Sequence, residues 1–433
     1  MHFSLVALAL SLVIWYIGPK LLQRGMMYPP GPKAIPVIGN LLDLTPNELW
    51  VRASSWARKF GGICYLNIFG QSLVFINDAE IAFDLLDKRG AIYSSKPPLV
   101  MVGEMCGCAE MIPFTPYGDK FKRRRRLMHE TLGPRSISNY HEGLQVETIR
   151  FVQSLLADPK DYIRHIRRYS GGLTLSAVYG YNATSSDDKF LLLAEESMDL
   201  IANEIVGGVG LWPVDIFPFL RYIPAWAPGG GFKRKAAVWK SKIHEFMQLP
   251  YDEAKDNMAT GTILPSFCSS HLDLGGKLTP EQDDDLKWTA NSMYAASVDT
   301  TIATVSHLIL AMMYFPEEFK KARQEIEKVV GTDRLPSFGD RDSLPYVECI
   351  LNETWRWGCP VPLNLPHMLD KDDEYLGYYI PKGSLVIANI WNILRDERIY
   401  PEPEKFKPSR FAESGVDTKK MDPRSYVFGF GRR

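Results

Sequence analysis

Between Asp283 and Met313 the chain carries no proline and no glycine, and much of the stretch is apolar on every side of a helical wheel: Met293, Ala295, Ala296, Val298, Ile302, Val305, Leu308, Ile309 and Leu310. A long helix of that kind is stable only when buried. The remainder must therefore wrap around it, which predicts a mainly α body. Thr279-Pro280-Glu281 reads as its start signal. In its middle stand Asp299, Thr300 and Thr301. A buried carboxylate costs several kcal/mol unless paired or used, and a helix cap does not occur mid-helix. The small residues Ala295, Ala296 and Ser297 just before leave room for a ligand against the helix wall.

With 433 residues, 45% hydrophobic and 23% charged, the chain is long enough for one large core or two smaller ones. Lys and Arg total 50 against 51 Asp and Glu, so no overall charge points to nucleic acid. The six cysteines are scattered. Cys106 and Cys108 form a C-x-C pair with no matching second pair, which argues against zinc and for a reduced, cytosol-facing body.

Phe3 to Gly18 is uncharged and apolar, shorter than the ~20 residues of a membrane span unless Leu21 and Leu22 extend it past a snorkelling Lys20. No basic region precedes it and no small-residue cleavage site follows, so a signal-anchor over 1–24 is expected rather than a cleaved signal peptide. Lys20, Arg24 and Lys33 on its C-terminal side put the body in the cytosol. Pro29-Pro30-Gly31-Pro32 makes residues 25–40 a stiff hinge, and 41–433 the globular body.

Residues 44–60 read as a helix. Tyr65–Phe69 and Ser72–Ile76, split by Gly70-Gln71, read as a β-hairpin, after which Asn77-Asp78 caps a helix over Ala79–Arg89. The apolar but irregular stretch from Ala91 to Pro116 has the length of a functional loop, lining a pocket. In the basic run Lys120–Arg126, Phe121 and Arg125 lie one helical turn apart on a shared face, where the arginine suits a carboxylate at the edge of a buried planar ligand. Residues 140–205 look helical with interruptions. Leu211–Gly231, apolar and proline-broken, reads as the mouth of a substrate channel dipping into a bilayer, and Phe232–Gln248 as a basic amphipathic helix. Helices are expected over Pro316–Val330 and Tyr346–Trp357. The latter carries Glu353 and Arg356 at i, i+3, a pair that needs further partners if buried; Arg410 in Pro408-Ser409-Arg410-Phe411 is the candidate. Leu385–Ile390 reads as a strand. The chain closes on Phe428-Gly429-Phe430-Gly431-Arg432-Arg433, two glycines among aromatics, suited to a tightly turned backbone against a flat surface.

Taken in order, the anchor, proline hinge, basic helix, central acid-threonine helix, E-x-x-R, P-x-R-F and terminal F-x-x-G-x-R resemble a cytochrome P-450, a haem-thiolate monooxygenase of microsomal fungal type. The resemblance implies that family's fold, mainly α with smaller β-sheets. It implies haem b as cofactor, dioxygen and a lipophilic substrate of secondary metabolism, and NADPH electrons through a membrane reductase. It also implies a single-pass endoplasmic-reticulum location. By motif match, Glu353, Arg356 and Arg410 become a structural triad. Arg125, His367 and Arg433 become propionate partners, with Phe121 where the family has a tryptophan and Phe428 opening the haem loop. Asp299-Thr300 becomes the acid-alcohol pair of proton delivery, with Ser297 at a position usually glycine, adding a hydroxyl beside the oxygen pocket. Ala295, Ala296, Val298, Val361 and Leu363 are expected to shape the substrate pocket. The axial cysteine of the family pattern falls two residues past Arg433, so no metal ligand is assigned within the sequence, and the haem loop and following elements are expected to be missing. Two alternatives stay open. One is a truncated, non-catalytic membrane-anchored remnant with weak haem binding; the other is a tethered phosphate- or nucleotide-binding protein using the basic run, for which no fingerprint motif is present.

Overall fold

The computed structural model describes residues 26–432 apart from 46, 134, 207–211, 274–277 and 413–417. The expected anchor over 1–24 and Arg433 lie outside the described residues. The chain divides into two compact units. The described residues up to Pro97, with Pro362–Ile393 and those from Phe430, form the first; Pro98–Val361 with Leu394–Gly429 form the second.

The first unit is built on a sheet. Helix α1 (Leu49–Phe60) starts later than the pattern predicted, after a 3-10 turn at Leu41–Asp43. Strands β1 (Ile63–Ile68) and β2 (Gln71–Ile76) form the expected hairpin, but its turn is Phe69-Gly70, both at positive φ, rather than Gly70-Gln71. Left-handed φ at both central residues matches the twist of a two-residue hairpin. Asp78 accepts N–H bonds from Glu80 and Ile81, capping a helix that turns π-helical over Phe83–Lys88. β3 (His367–Met368) and β6 (Leu385–Ala388) complete a sheet of order β1-β2-β6-β3, in which β2 and β6 run parallel. β4 (Asp373–Tyr375) and β5 (Tyr378–Ile380) form a separate hairpin. Leu73 to Ile76 are fully buried, and Trp56 of α1 meets Phe75 edge-on at 5.2 Å.

The second unit is helical: α2 (Asp119–Leu132), α3 (His141–Ala157), α4 (Tyr162–Thr174), α5 (Lys189–Asp199), α6 (Gly231–Thr260), α7 (Pro280–Tyr314), α8 (Pro316–Val329) and α9 (Pro345–Gly358). Thr279 and Gln282 close the α7 N-terminus with a reciprocal capping box, at 3.3 and 2.9 Å. α6 runs through Pro250, beyond the end at Gln248 that the sequence predicted. Pro250 and Tyr251 are buried there, and that packing offsets the missing N–H.

α7 is long and apolar enough to cross a membrane by composition, yet it is a core helix of this unit. Asn291 Nδ2 bonds Phe246 O of α6 at 3.3 Å, Tyr294 Oη bonds Phe190 O of α5 at 3.0 Å, and Ser170 Oγ of α4 bonds Ser297 O at 3.0 Å. The expectation of burial along the whole helix holds only for its first half. Asp299, expected to be buried, is exposed; the residues after it are mostly half-buried, and Leu310, Met313 and Tyr314 are exposed.

Candidate functional site

The end of α9 carries a buried, fully paired group of charges. Glu353 and Arg356 follow each other by one turn and are both fully buried. Arg356 Nη1 spends its remaining donors on the carbonyls of Leu394, at 3.1 Å, and Pro403, at 2.8 Å. Arg410 brings Nε to within 3.2 Å of Glu353, and the Lys407 N–H adds a fourth donor at 2.7 Å. The three residues meet because the loop before Arg410 curls back onto α9.

On α2 the structure separates two residues that helical spacing put together. Phe121 is buried; Arg125 is exposed and touches only Met128 Sδ, at 4.0 Å. Among the described residues it has no carboxylate partner. The buried arginine is Arg124. Its guanidinium reaches Asp285 Oδ1 at 2.8 Å, Glu110 Oε2 at 2.9 Å and Asp284 Oδ2 at 3.1 Å, and also donates to the Glu110 carbonyl. Arg123 joins from outside at 2.7 Å from Asp285. Sequence reasoning missed this network, although the acidic run Asp283–Asp285 opposite four arginines was its available signal.

Around Asp299 the helix offers two faces. Asp299 looks into a cavity of about 540 Å³ between α4, α5 and α7, whose walls include Arg164, Arg167, Glu195, Asp199 and Tyr294. Desolvation holds its carboxyl above the ordinary range; Asp199 and Glu195 add to the rise, and Arg167 opposes it. Thr300 is half-buried and donates to Ala296 O at 2.7 Å, and Ala296 itself is exposed, an open spot on an otherwise packed helix. Ala295 and Val298 are packed in the core, and Val298 also forms part of the wall of the Asp299 cavity. Ser297 also departs from expectation. Its hydroxyl accepts from Thr174 Oγ1 at 2.7 Å and donates to Tyr294 O at 2.9 Å, so it is engaged with α4 and with its own helix.

In the first unit His367 is buried on β3, its Nδ1 2.7 Å from Tyr93 O, and Leu363 bridges Asn389. Phe430 is buried edge-on to Phe83 at 6.2 Å, and Gly431 turns at φ 60°, where a Cβ would strike the Leu86 carbonyl. In the second unit Val361 is half-buried, while Phe428 is exposed and meets Trp355 edge-on at 5.4 Å. Among the described residues no three His, Cys, Asp or Glu side chains gather to hold a metal ion.

A profile of the cytochrome P450 family matches residues 29–433. The chain is 41% identical to the cytochrome P450 monooxygenase claT of Ampulloclitocybe clavipes, over 99% of its own length and 84% of that protein's. It is 38% identical to cytochrome P450 monooxygenase 226 of Postia placenta, over 99% and 81%. A third relative, the cytochrome P450 monooxygenase COX1 of Coprinopsis cinerea, is 35% identical over 99% and 85%.

Proposed function

The chain belongs to the cytochrome P450 family of oxidoreductases, and from that premise we propose that it inserts one oxygen atom of dioxygen into a lipophilic organic substrate, using NADPH electrons passed on by a membrane reductase. The observation that carries this reading is the family match over 29–433. The buried Glu353–Arg356–Arg410 triad and the open Ala296–Thr300 face of α7 are consistent with it.

The family implies a haem, here haem b, and the residues present fit one. A haem is a flat apolar ring carrying two carboxylates. Ala296 presents nothing larger than a methyl on the open face of α7, and Arg125 offers a guanidinium with no carboxylate partner among the described residues. Arg125 would hold a propionate; His367 and Arg433 carry the same role, and Phe428 the start of the haem loop, by the family pattern alone. The axial-ligand position of the family pattern lies past Arg433. When bound, the haem supplies redox chemistry with dioxygen, tuned by its axial ligand. The chain's own residues handle protons and shape. Asp299, its carboxyl lifted by desolvation and open to a polar cavity, is the acid of the proton-delivery pair. Thr300 holds a hydroxyl beside the open face, its own proton given to Ala296 O until a better acceptor arrives. Ala296 and Val361 are kept as pocket residues of the second unit, with Ala295 and Val298 packed beside them in its core, and Leu363 keeps that role by the family pattern alone.

The same reading seats the body, as one catalytic domain over 41–433, on the cytosolic side of the endoplasmic reticulum, held by residues 1–24. Its support is the charge of Lys20, Arg24 and Lys33, and the exposed Phe219, Tyr222 and Trp226 beside Arg221, Lys233 and Arg234. Aromatic and basic side chains together suit a bilayer–water interface. The test uses protein isolated from its own membranes. Reduction under carbon monoxide should give the Soret band of a thiolate-ligated haem, and NADPH with reductase should yield an oxygenated product from a lipophilic panel. Protein that carries no haem and forms no product would overturn the proposal.

A further inference from the structure

The loop of residues 182–188, which leads into α5, closes one side of a second cleft in the helical unit. This cleft holds about 600 Å³ between Arg150 of α3, His165 and Arg168 of α4, and Thr184 and Ser186 of the loop. Its charge is unbalanced. Arg150 and Arg168 share a single buried carboxylate, Glu147, one on each oxygen. Arg168 gives its other end to the Ala183 carbonyl at 2.6 Å, which fixes the backbone directly before Thr184. Arg150 uses only Nη1, on Glu147 at 2.6 Å and on Asn182 Oδ1 at 3.3 Å. Its Nε and Nη2 have no hydrogen-bond partner among the described residues. His165 Nε2 lies 2.9 Å from the Asp158 carbonyl, so that nitrogen carries the proton. Among the described residues no carboxylate lines the cleft itself. Two guanidiniums against one carboxylate therefore leave an excess of positive charge on its wall.

Of the loop's hydroxyls, Thr184 alone is both exposed and at the cleft. Ser185 accepts the Asp187 N–H at 3.0 Å, and Ser186 is half-buried. Asp187 and Asp188 stand three and four residues after Thr184; the first pairs with Arg164 near the surface and the second caps α5 through the Phe190 N–H at 2.9 Å.

We propose that Thr184 is a phosphorylation site and that the arginine cleft receives its phosphate, which Arg150 holds and Arg168 supports from behind, pinning the loop to α3. In the transfer the Thr184 Oγ1–P bond forms as the bond from the γ-phosphorus of a nucleoside triphosphate to its bridging oxygen breaks. The nucleoside diphosphate leaves, and the hydroxyl proton passes to a base of the kinase. A phosphate brings nearly two negative charges and three acceptor oxygens. Those oxygens suit the fork that Arg150 leaves open. The acidic residues after Thr184 match a kinase with a basic substrate groove. The loop runs straight into α5, whose Glu195 and Asp199 wall the Asp299 cavity, and Ser186 lines both spaces. A phosphate here is thus a handle on α5. Access to kinases rests on the cytosolic placement of the body, while nothing in the site rests on the monooxygenase reading.

The full chain, isolated from its own membranes, is incubated with an acidophilic casein-type kinase and magnesium ATP, mapped by mass spectrometry and titrated by phosphorus NMR. One phosphate on Thr184 is expected. A free phosphothreonine takes up its second proton at about pH 6. Held by Arg150, it should bind that proton about tenfold more weakly, the effect of an opposite charge within hydrogen-bond reach. Arg150→Gln should restore ordinary titration. Urea should do the same to the parent, and that comparison stands even if the variant does not fold. A phosphate that goes only to Ser185 or Ser186, no incorporation, or a Thr184 phosphate that titrates alike in folded and urea-unfolded chain each overturns the proposal. None of these measurements needs haem or turnover. A haem-free, inactive chain that is phosphorylated this way removes the monooxygenase reading alone, and an active one that takes no phosphate removes the site alone.

Discussion

Glu353 and Arg356 stand one turn apart on α9 and grip each other through two parallel hydrogen bonds, Nε to Oε2 at 2.7 Å and Nη2 to Oε1 at 2.8 Å, with neither side chain open to solvent. A pair with this spacing on an exposed helix contributes a few tenths of a kcal/mol. Buried, it becomes a constraint on everything nearby, because each charge depends on the others being in place. Arg410 and the surrounding carbonyls must all arrive before α9 can sit in its core position.

Removing the one anion of this group should therefore be severe. Glu353→Gln keeps the volume but leaves the Arg356 and Arg410 charges uncompensated, at a cost of about 3–5 kcal/mol. Against a total stability of about 5–15 kcal/mol, the variant should unfold at much lower urea or fail to accumulate. A urea midpoint close to the parent's would contradict this account.

Neighbouring arginines on α2 should behave oppositely. Arg124→Met takes the buried guanidinium from Asp285 and leaves it only Arg123, at the rim, as an arginine partner, which should cost several kcal/mol, at most about 3–5 for a broken buried pair. Arg125→Ala, at an exposed position, should change stability by no more than about 0.5 kcal/mol while weakening retention of haem. Thermal melts and haem-to-protein absorbance ratios of the two variants separate these roles. Equal melting temperatures would refute the assignment.

Asp299 is exposed as a residue, yet desolvation where its carboxyl faces the cavity still lifts it, so the folded chain binds a proton where the unfolded chain has released it. Stability from this group rises as pH falls through its folded value toward the ordinary carboxylate range, and is absent above that window. Asp299→Asn, neutral throughout, should flatten that part of the pH–stability curve. At neutral pH it should be no less stable than the parent, with a gain below about 1 kcal/mol because cavity water screens the charge. Urea titrations across the window check the slope; a steeper curve for the variant would reverse the sign of the shift.

Asn182-Ala183-Thr184 is an N-x-T acceptor on an exposed stretch, with Asn182 Oδ1 only lightly engaged by Arg150 at 3.3 Å. A body facing the cytosol leaves it unmodified. Endoglycosidase treatment of protein from its own membranes should produce no mobility shift, and a shift would place the body in the lumen.

Local patterns were legible wherever the deciding contact was near in sequence. The α7 start at Thr279, the hairpin from Ile63 to Ile76 and the Asp78 cap each depend on residues within a turn or a strand pair of one another. The Phe69-Gly70 turn was misplaced by one residue, because a left-handed phenylalanine is not a pattern that composition announces. Pro250 was taken for a helix end because propensity penalises it, while burial against the core decides otherwise.

By itself the sequence determined that a long apolar helix with an acid-threonine centre must be wrapped by other helices, and that Glu353, Arg356 and Arg410 were candidates for one another. Those are statements about periodicity and about charges that cannot be buried alone. Only the tertiary structure decided that Arg124 rather than Arg125 goes inside, that Ser297 turns to Thr174, and that Arg168 turns to Glu147 on α3. In each case a helical wheel or a loop leaves several orientations equal in energy. The choice is made by a partner far along the chain, whose position exists only once the core has closed.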